Sequence, residues 1–243
     1  MNSIGRAGEG EMNFKWFGPI ALLAALVIGD QIRINRPAHK YRLTVDVETP
    51  EGRQSASGVL AVHPDRSYSR RGQTRTLGDA VFVDLGQGRN LVALLAHIDN
   101  NGLEFDGINY VALRAYTAAQ GKRVSFNAMS AQTGIVPVKA ALVPVLVTFA
   151  DRAAPGTARV VPPDDAEAVL GKGYRLQGIS AEVVPNGYWP LDFGGPLGEP
   201  VTRGIQAKLP WLGGAGDSAA TALRAAGLPG VDGIDAPEAF TRK

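Results

Sequence analysis

The nine residues Tyr41-Arg42-Leu43-Thr44-Val45-Asp46-Val47-Glu48-Thr49 alternate strictly between apolar and polar side chains. Successive side chains of a strand point to opposite faces. Tyr41, Leu43, Val45 and Val47 therefore share one face and Arg42, Thr44, Asp46 and Glu48 the other, which predicts a half-buried β-strand. Pro50-Glu51-Gly52 supplies turn chemistry, and residues 53–62 can return as the second arm of a hairpin. A second hairpin is expected from Val81–Leu85 and Asn90–Leu95 around Gly86-Gln87-Gly88, its second arm apolar enough to be covered on both faces. Val143 to Phe149 reads as a further strand, with Pro144 confining it to an early or edge position. Tyr174 to Val184 is the next, and Val201 to Leu209 a weaker one.

Helical signals are few and short. Ile108, Val111, Ala112, Ala115 and Ala119 fall on one face of a segment that stops at Gly121, predicting a helix over 108–120. Asp164 to Gly171 reads as one or two turns, with carboxylates at the positive end and glycine as the stop. Asp217 to Gly227 has a cap, an alanine-rich body and a terminal glycine, but Leu223 is its only large apolar residue. A helix with so little to bury gains little by docking, so the stretch from Gly213 onward is expected to be loosely held or recruited by a partner.

The fold class expected is mainly β: an antiparallel sandwich-like or barrel-like domain with a few short helices and an N-terminal apolar helix. Residues 1–13 are read as an extension, 14–29 as a signal peptide or membrane anchor, 30–39 as a linker, 40–212 as the β-rich domain and 213–243 as a Gly/Ala-rich tail with a short helix. No internal repeat is visible. Among 243 residues, 45% are hydrophobic and 20% charged, which disfavours wholesale disorder and a polytopic membrane protein. The absence of cysteine removes disulfides, thiolate nucleophiles and Cys-ligated metal centres. A net charge of +2 is too balanced for a dedicated nucleic-acid binder.

From Trp16 to Gly29 the run WFGPIALLAALVIG carries no charge. Its length suits the apolar region of an export signal, and extension through Ile32 and Ile34 gives a short anchor. Phe14, Trp16, Phe17, Ile20, Leu22, Leu23, Leu26, Val27 and Ile28 are the lipid-facing candidates. Residues 1–11 contain Glu9 and Glu11 and lack the character of a signal's basic end, so translation is expected to start at Met12. No clear cleavage site follows the run. Arg33, Arg36, Lys40 and Arg42 lie after it, which by the positive-inside tendency opposes export of the following domain.

The stretches YRLTVDVETPEG (41–52), AVFVDLGQGRNLVALL (80–95), PVLVTF (144–149), YRLQGISAEV (174–183) and EPVTRGIQAKLPWL (199–212), with Pro163-Asp164-Asp165 at a helix start, resemble an uncharacterised family of bacterial exported or membrane-anchored proteins. The resemblance covers about two thirds of 40–212 and is weaker over 63–79, 97–137 and the tail. It implies a shared fold and an envelope location. It brings no activity, and therefore no catalytic residue.

Chemistry is sparsely signalled. His63 with Asp65 and His97 with Asp99 permit a metal site drawn from His63, His97 and Asp99 if two strand ends meet, since residues two apart in a strand share a face. The plainer reading is loop polarity beside Pro64 and Asn100-Asn101-Gly102. No serine has an activating context, and the glycine clusters fit neither dinucleotide nor phosphate-loop fingerprints, so no catalytic residue and no cofactor is expected. Arg66, Arg70, Arg71 and Arg75 with Tyr68 form the densest charge and suit anionic lipid headgroups, or else simply a solvated loop. Tyr188, Trp189, Phe193 and Trp211 either plug the end of a β domain or form a partner surface. The function expected is that of a membrane-anchored or exported inner-membrane or periplasmic protein. It acts as a non-catalytic accessory subunit with a membrane contact, a protein partner and no nucleic acid. The alternatives are a metal-dependent envelope hydrolase and headgroup binding through the arginine loop.

Overall fold

The structure is a computed structural model that describes residues 17–64, 73–100, 102–187, 197–214 and 216–243. The chain divides into two compact units, 1–36 and 37–243. The first contains α1 (Phe17–Asn35), whose residues 18–29 are exposed on every side. The helix continues through residues 30–35, which the sequence assigned to a linker. Arg33 bonds Asp30 one turn back at 2.9 Å, and the Asn35 amide donates to the Gln31 carbonyl at 2.9 Å, so the polar end has its own helical support.

In the second unit β1 (His39–Thr49) and β2 (Gly52–His63) pair along their whole length around the turn at Pro50-Glu51. The alternation is realised as read: Tyr41, Leu43, Val45 and Val47 have no exposure. Burial of each such side chain is worth about 1.5–3 kcal/mol, which fixes the register, because a one-residue slip would turn the whole set to water. β3 (Arg75–Asp79) then runs through Ala80 into β4 (Val81–Gly86), and β5 (Arg89–Ala93) returns from the Gly86-Gln87-Gly88 turn. β6 (His97–Asp99) and β7 (Gly102–Glu104) form a small hairpin. The expected 108–120 helix begins as a 3-10 turn, Asp106–Tyr110, and continues as α2 (Val111–Gln120), stopped by Gly121 at φ 64°. There follow β8 (Ile135–Val138), β9 (Leu146–Phe149), β10 (Ala158–Val160), α3 (Ala166–Leu170), β11 (Arg175–Val184), α4 (Ser218–Ala225) and β12 (Thr241–Arg242).

Among the described residues these strands form a six-stranded sheet ordered β12-β3-β2-β1-β11-β8, a four-stranded sheet ordered β10-β9-β5-β4 and the β6-β7 pair, all antiparallel. The sheets stay open, which excludes the barrel alternative. Leu43, Val45 and Leu60 of the larger sheet share one core with Val81, Val83 and Leu91 of the smaller. β3 and β4 amount to one strand that changes sheets at Ala80, a corner device of packed sheets. Residues 91–95 are buried on both faces, as their unbroken apolar run implied.

Two expectations are corrected here. Residues 201–209 form no strand: Thr202 instead exchanges bonds with Val59 through its backbone N–H and its Oγ1, and its carbonyl accepts from Asp79 N. The stretch beyond Gly213 is not loosely held. Ala219, Ala220, Ala222, Leu223, Leu228, Val231, Ala236, Ala239 and Phe240 are all buried, and the carbonyls of Ala239 and Phe240 accept from Leu95 and Ala80 at 2.8 Å. Alanine packs here by close approach of backbones, a mode that counting large apolar residues overlooks.

Candidate functional site

The corner where β3 becomes β4 gathers the most connected buried polar groups. Asp79, 3% exposed, accepts from Ile205 N at 3.0 Å and from Thr241 Oγ1 at 2.7 Å, and Arg203 lies 3.5 Å from it. Asn109, also buried, accepts from Thr76 Oγ1 at 2.8 Å and donates to the Thr74 carbonyl at 2.8 Å. Arg242 reaches Asn109 and Glu238 at 3.4 Å and lies over the Phe105 ring, 5.6 Å from its centre. Thr76, Asn109, Glu238, Thr241 and Arg242, but not Asp79 or Arg203, line a cleft of about 790 Å³ between β3, the 106–110 turn and the C-terminal segment. Arg75, Arg242 and Lys243 face it, and so do Glu104, Asp106, Asp235 and Glu238. Its charges nearly cancel, so it suits a polar ligand of mixed charge better than a bare anion.

Glu104 also lines a second, smaller cavity of about 210 Å³ with His97, Asp99 and Arg114. The β6-β7 hairpin sets His97 directly opposite Glu104. His97 is 7% exposed, and its Nε2 lies 3.0 Å from the Leu142 carbonyl, so Nε2 carries the proton and Nδ1 a lone pair. Burial pulls the imidazole below its ordinary pKa, against the opposing pull of the Leu142 carbonyl and Glu104. Nδ1 has no hydrogen-bond partner. Both Glu104 oxygens accept from Gly107 N at 2.8 Å. A side chain at 107 would displace the Glu104 carboxylate, because its Cβ would stand 2.6 Å from Glu104 Oε2 and 3.0 Å from His97 Nδ1.

Buried ionisable groups elsewhere serve the fold. Tyr41 donates to the Ile108 carbonyl at 3.1 Å, and burial raises its pKa. The Tyr116 hydroxyl donates to the Gly134 carbonyl and accepts from Val183 N, tying α2 to β11, and burial again raises the phenol. His39 is wholly buried against Phe126 and Tyr41 with neither ring nitrogen bonded, and burial lowers its pKa to about 4. Arg42 bridges Glu182 and Glu199 on the outer face of the large sheet, and those bonds, the Glu199 one foremost, raise its pKa.

Of the residues singled out in the sequence, His97 and Asp99 do share a cavity. His63 instead ends β2 opposite Arg75 of β3. Among the described residues no three His, Asp or Glu side chains converge well enough to hold a metal ion, so the His63/His97/Asp99 set is not assembled. Arg75 faces the large cleft, whereas Arg66, Arg70 and Arg71 lie outside the described residues, as do Phe14, Trp16, Tyr188, Trp189 and Phe193. Trp211 is a core residue and not a partner surface: its indole N–H donates to the Arg152 carbonyl at 3.0 Å, and its ring meets Phe149 and Phe240 at 5.6 and 5.2 Å. Sequence reasoning missed Asp79, Asn109, Arg242 and Glu104. Only Glu104 had a signal, since a hairpin around Asn100-Asn101 sets residue 104 opposite residue 97. A scan of protein-family models and searches of curated proteins and of solved structures found no match to this chain.

Proposed function

We propose that residues 14–29 deliver the protein to the bacterial inner membrane and either remain as its anchor or are cleaved there, and that the β domain works on the periplasmic side as a non-catalytic binding and structural component of a larger assembly. The observation that carries this reading is α1. Ile20, Leu22, Leu23, Leu26, Val27 and Ile28 are each between 54% and 67% exposed, while the domain builds its core from residue 41 onward. Leaving six such side chains in water forgoes on the order of 10 kcal/mol. A lipid bilayer recovers that energy on all sides of the helix at once. The uncharged part of α1, residues 17–29, spans about 20 Å, two thirds of the roughly 30 Å of a hydrocarbon core, and the polar turns that follow, with Arg33 in the helix and Arg36 just beyond it, suit the headgroup layer.

The chain has no cysteine, so a single Ser57→Cys substitution on β2 reports topology cleanly. A membrane-impermeant maleimide is expected to label this variant in spheroplasts, and detergent-solubilised membranes are expected to yield the protein together with a stoichiometric partner. Recovery in the soluble cytosolic fraction, or labelling only after lysis, overturns the location. Monodisperse, partner-free protein from native membranes overturns the accessory role.

A further inference from the structure

We propose that the large cleft beside β12 binds the C-terminal end of a peptide, whose carboxylate is taken by Arg242. This inference concerns the domain alone and does not rest on its location. Arg242 is held in β12, where it pairs with Gly78, and its side chain lies over the Phe105 ring with only 10% of its surface exposed. A guanidinium carries five N–H donors and stays charged throughout the working pH range. Here it contacts Asn109 Oδ1 and Glu238 Oε2, both at 3.4 Å, well beyond the roughly 2.7–2.9 Å of a charge-assisted bond. Its Nε–H has no partner, yet it keeps accessible surface in a residue that lines the cleft. A cation so far withdrawn from water and so loosely paired calls for an anionic acceptor, and the cleft is the open way to it.

The surroundings select the kind of anion. Arg75 and Lys243 add positive charge to the same cleft, but Asp106, Asp235 and Glu238 balance it, and Glu104 has both oxygens on Gly107 N. A phosphate group, with close to two charges, would be repelled by those carboxylates. A carboxylate brings a single charge and fits the planar fork of an arginine. Gln73, Thr74 and Gln206 offer amide and hydroxyl partners for the backbone of a peptide, and Leu103, Phe105 and Leu212 an apolar wall for its side chains. Asp106 and Asp235 are exposed and suit a basic side chain. The volume of about 790 Å³ lies within the roughly 300–1,000 Å³ usual for ligand sites, which gives room for a few residues.

The test uses the full-length protein, immobilised in a non-ionic detergent, and two randomised mixtures of N-acetylated tetrapeptides, one with free C-termini and one amidated. A subset rich in lysine or arginine is expected to be retained from the free-acid mixture at least tenfold above its amidated counterpart. Titration with the best-retained peptide should move the Arg242 ¹⁵Nε resonance, and Arg242→Gln should weaken its binding at least tenfold. The comparison of free and amidated ends is made on the unaltered protein, so it stands even if Arg242→Gln unfolds. Asp106→Asn together with Asp235→Asn changes two exposed residues and should remove the preference for basic side chains. Equal retention of both mixtures, or displacement of the peptide by an equal concentration of inorganic phosphate, overturns the carboxylate assignment. No retention from either mixture at millimolar concentration, with the Arg242 Nε resonance unmoved by the free-acid mixture, overturns the whole.

Discussion

Asp79 joins three parts of the chain that are far apart in sequence: β3, residues 203–205 and β12. Replacing it with alanine strands the buried N–H of Ile205 and frees Thr241, so Asp79→Ala should cost about 2–4 kcal/mol. Asp79→Asn keeps one acceptor and should cost less. Urea denaturation midpoints decide this, and a loss below about 0.5 kcal/mol for Asp79→Ala would show that the corner relies on packing alone. His39 makes a prediction with a sign. Its pKa is 6.5 in the unfolded chain and about 4 in the fold, so between those values the unfolded state binds more protons. Its contribution is fully present above pH 6.5, declines as pH falls and is gone near pH 4, a loss of about 3 kcal/mol. His39→Phe should flatten the stability profile across that window relative to the parent. Equal slopes in the two proteins would refute the role given to His39.

At the scale of elements, the C-terminal segment is where the sequence misled most. β1 was legible because a strand buried on one face writes its period into the side chains, and residues 91–95 because burial on two faces leaves no polar gap. α4 was not legible, because its burial rests on Ala219, Ala220 and Ala222, residues with little surface to announce, set against the 155–157 turn. Residues 201–209 misled for a different reason: Thr202 bonds Val59 and Asp79 through its backbone, but Gly204 turns left-handed at φ 101° and residues 205–207 form a 3-10 turn, so the stretch cannot continue as a strand. The candidate site divides in the same way. His97 and Asp99 were visible as a pair and Glu104 follows from hairpin register, whereas Asn109 and Arg242 meet only because a chain end 133 residues away returns to β3. If the segment from 216 to 243 is a core element, Phe240→Ala should cost about 3–5 kcal/mol. The ring packs edge-on to Trp211, so near-ultraviolet circular dichroism should lose tryptophan intensity in the same variant. A change under 1 kcal/mol would mean that this segment rides on the domain without holding it together.

At the scale of the whole molecule, two bodies of opposite solvent preference are joined within a few residues. The β domain buries its apolar face against itself, and residues 18–35 of α1 include no buried side chain. Among the described residues the core cluster draws no member from 18–35, so removal of residues 1–36 should leave the domain's packing intact. In a domain of this size 1 kcal/mol moves Tm by about 2–4 °C. The truncated protein is therefore expected to melt within about 2 °C of the full-length protein measured in a non-denaturing detergent. It should also need no detergent to stay monodisperse, because the exposed side chains from Ile20 to Ile28 have gone with the helix. The full-length protein without detergent should instead associate through α1 and pellet with added liposomes, and high salt should not release it, since apolar burial is insensitive to screening. A fall in Tm of 6 °C or more on truncation would mean that the helix docks on the domain and is a structural element of it. Salt-sensitive liposome binding that survives truncation would transfer the membrane contact from α1 to charged residues of the domain.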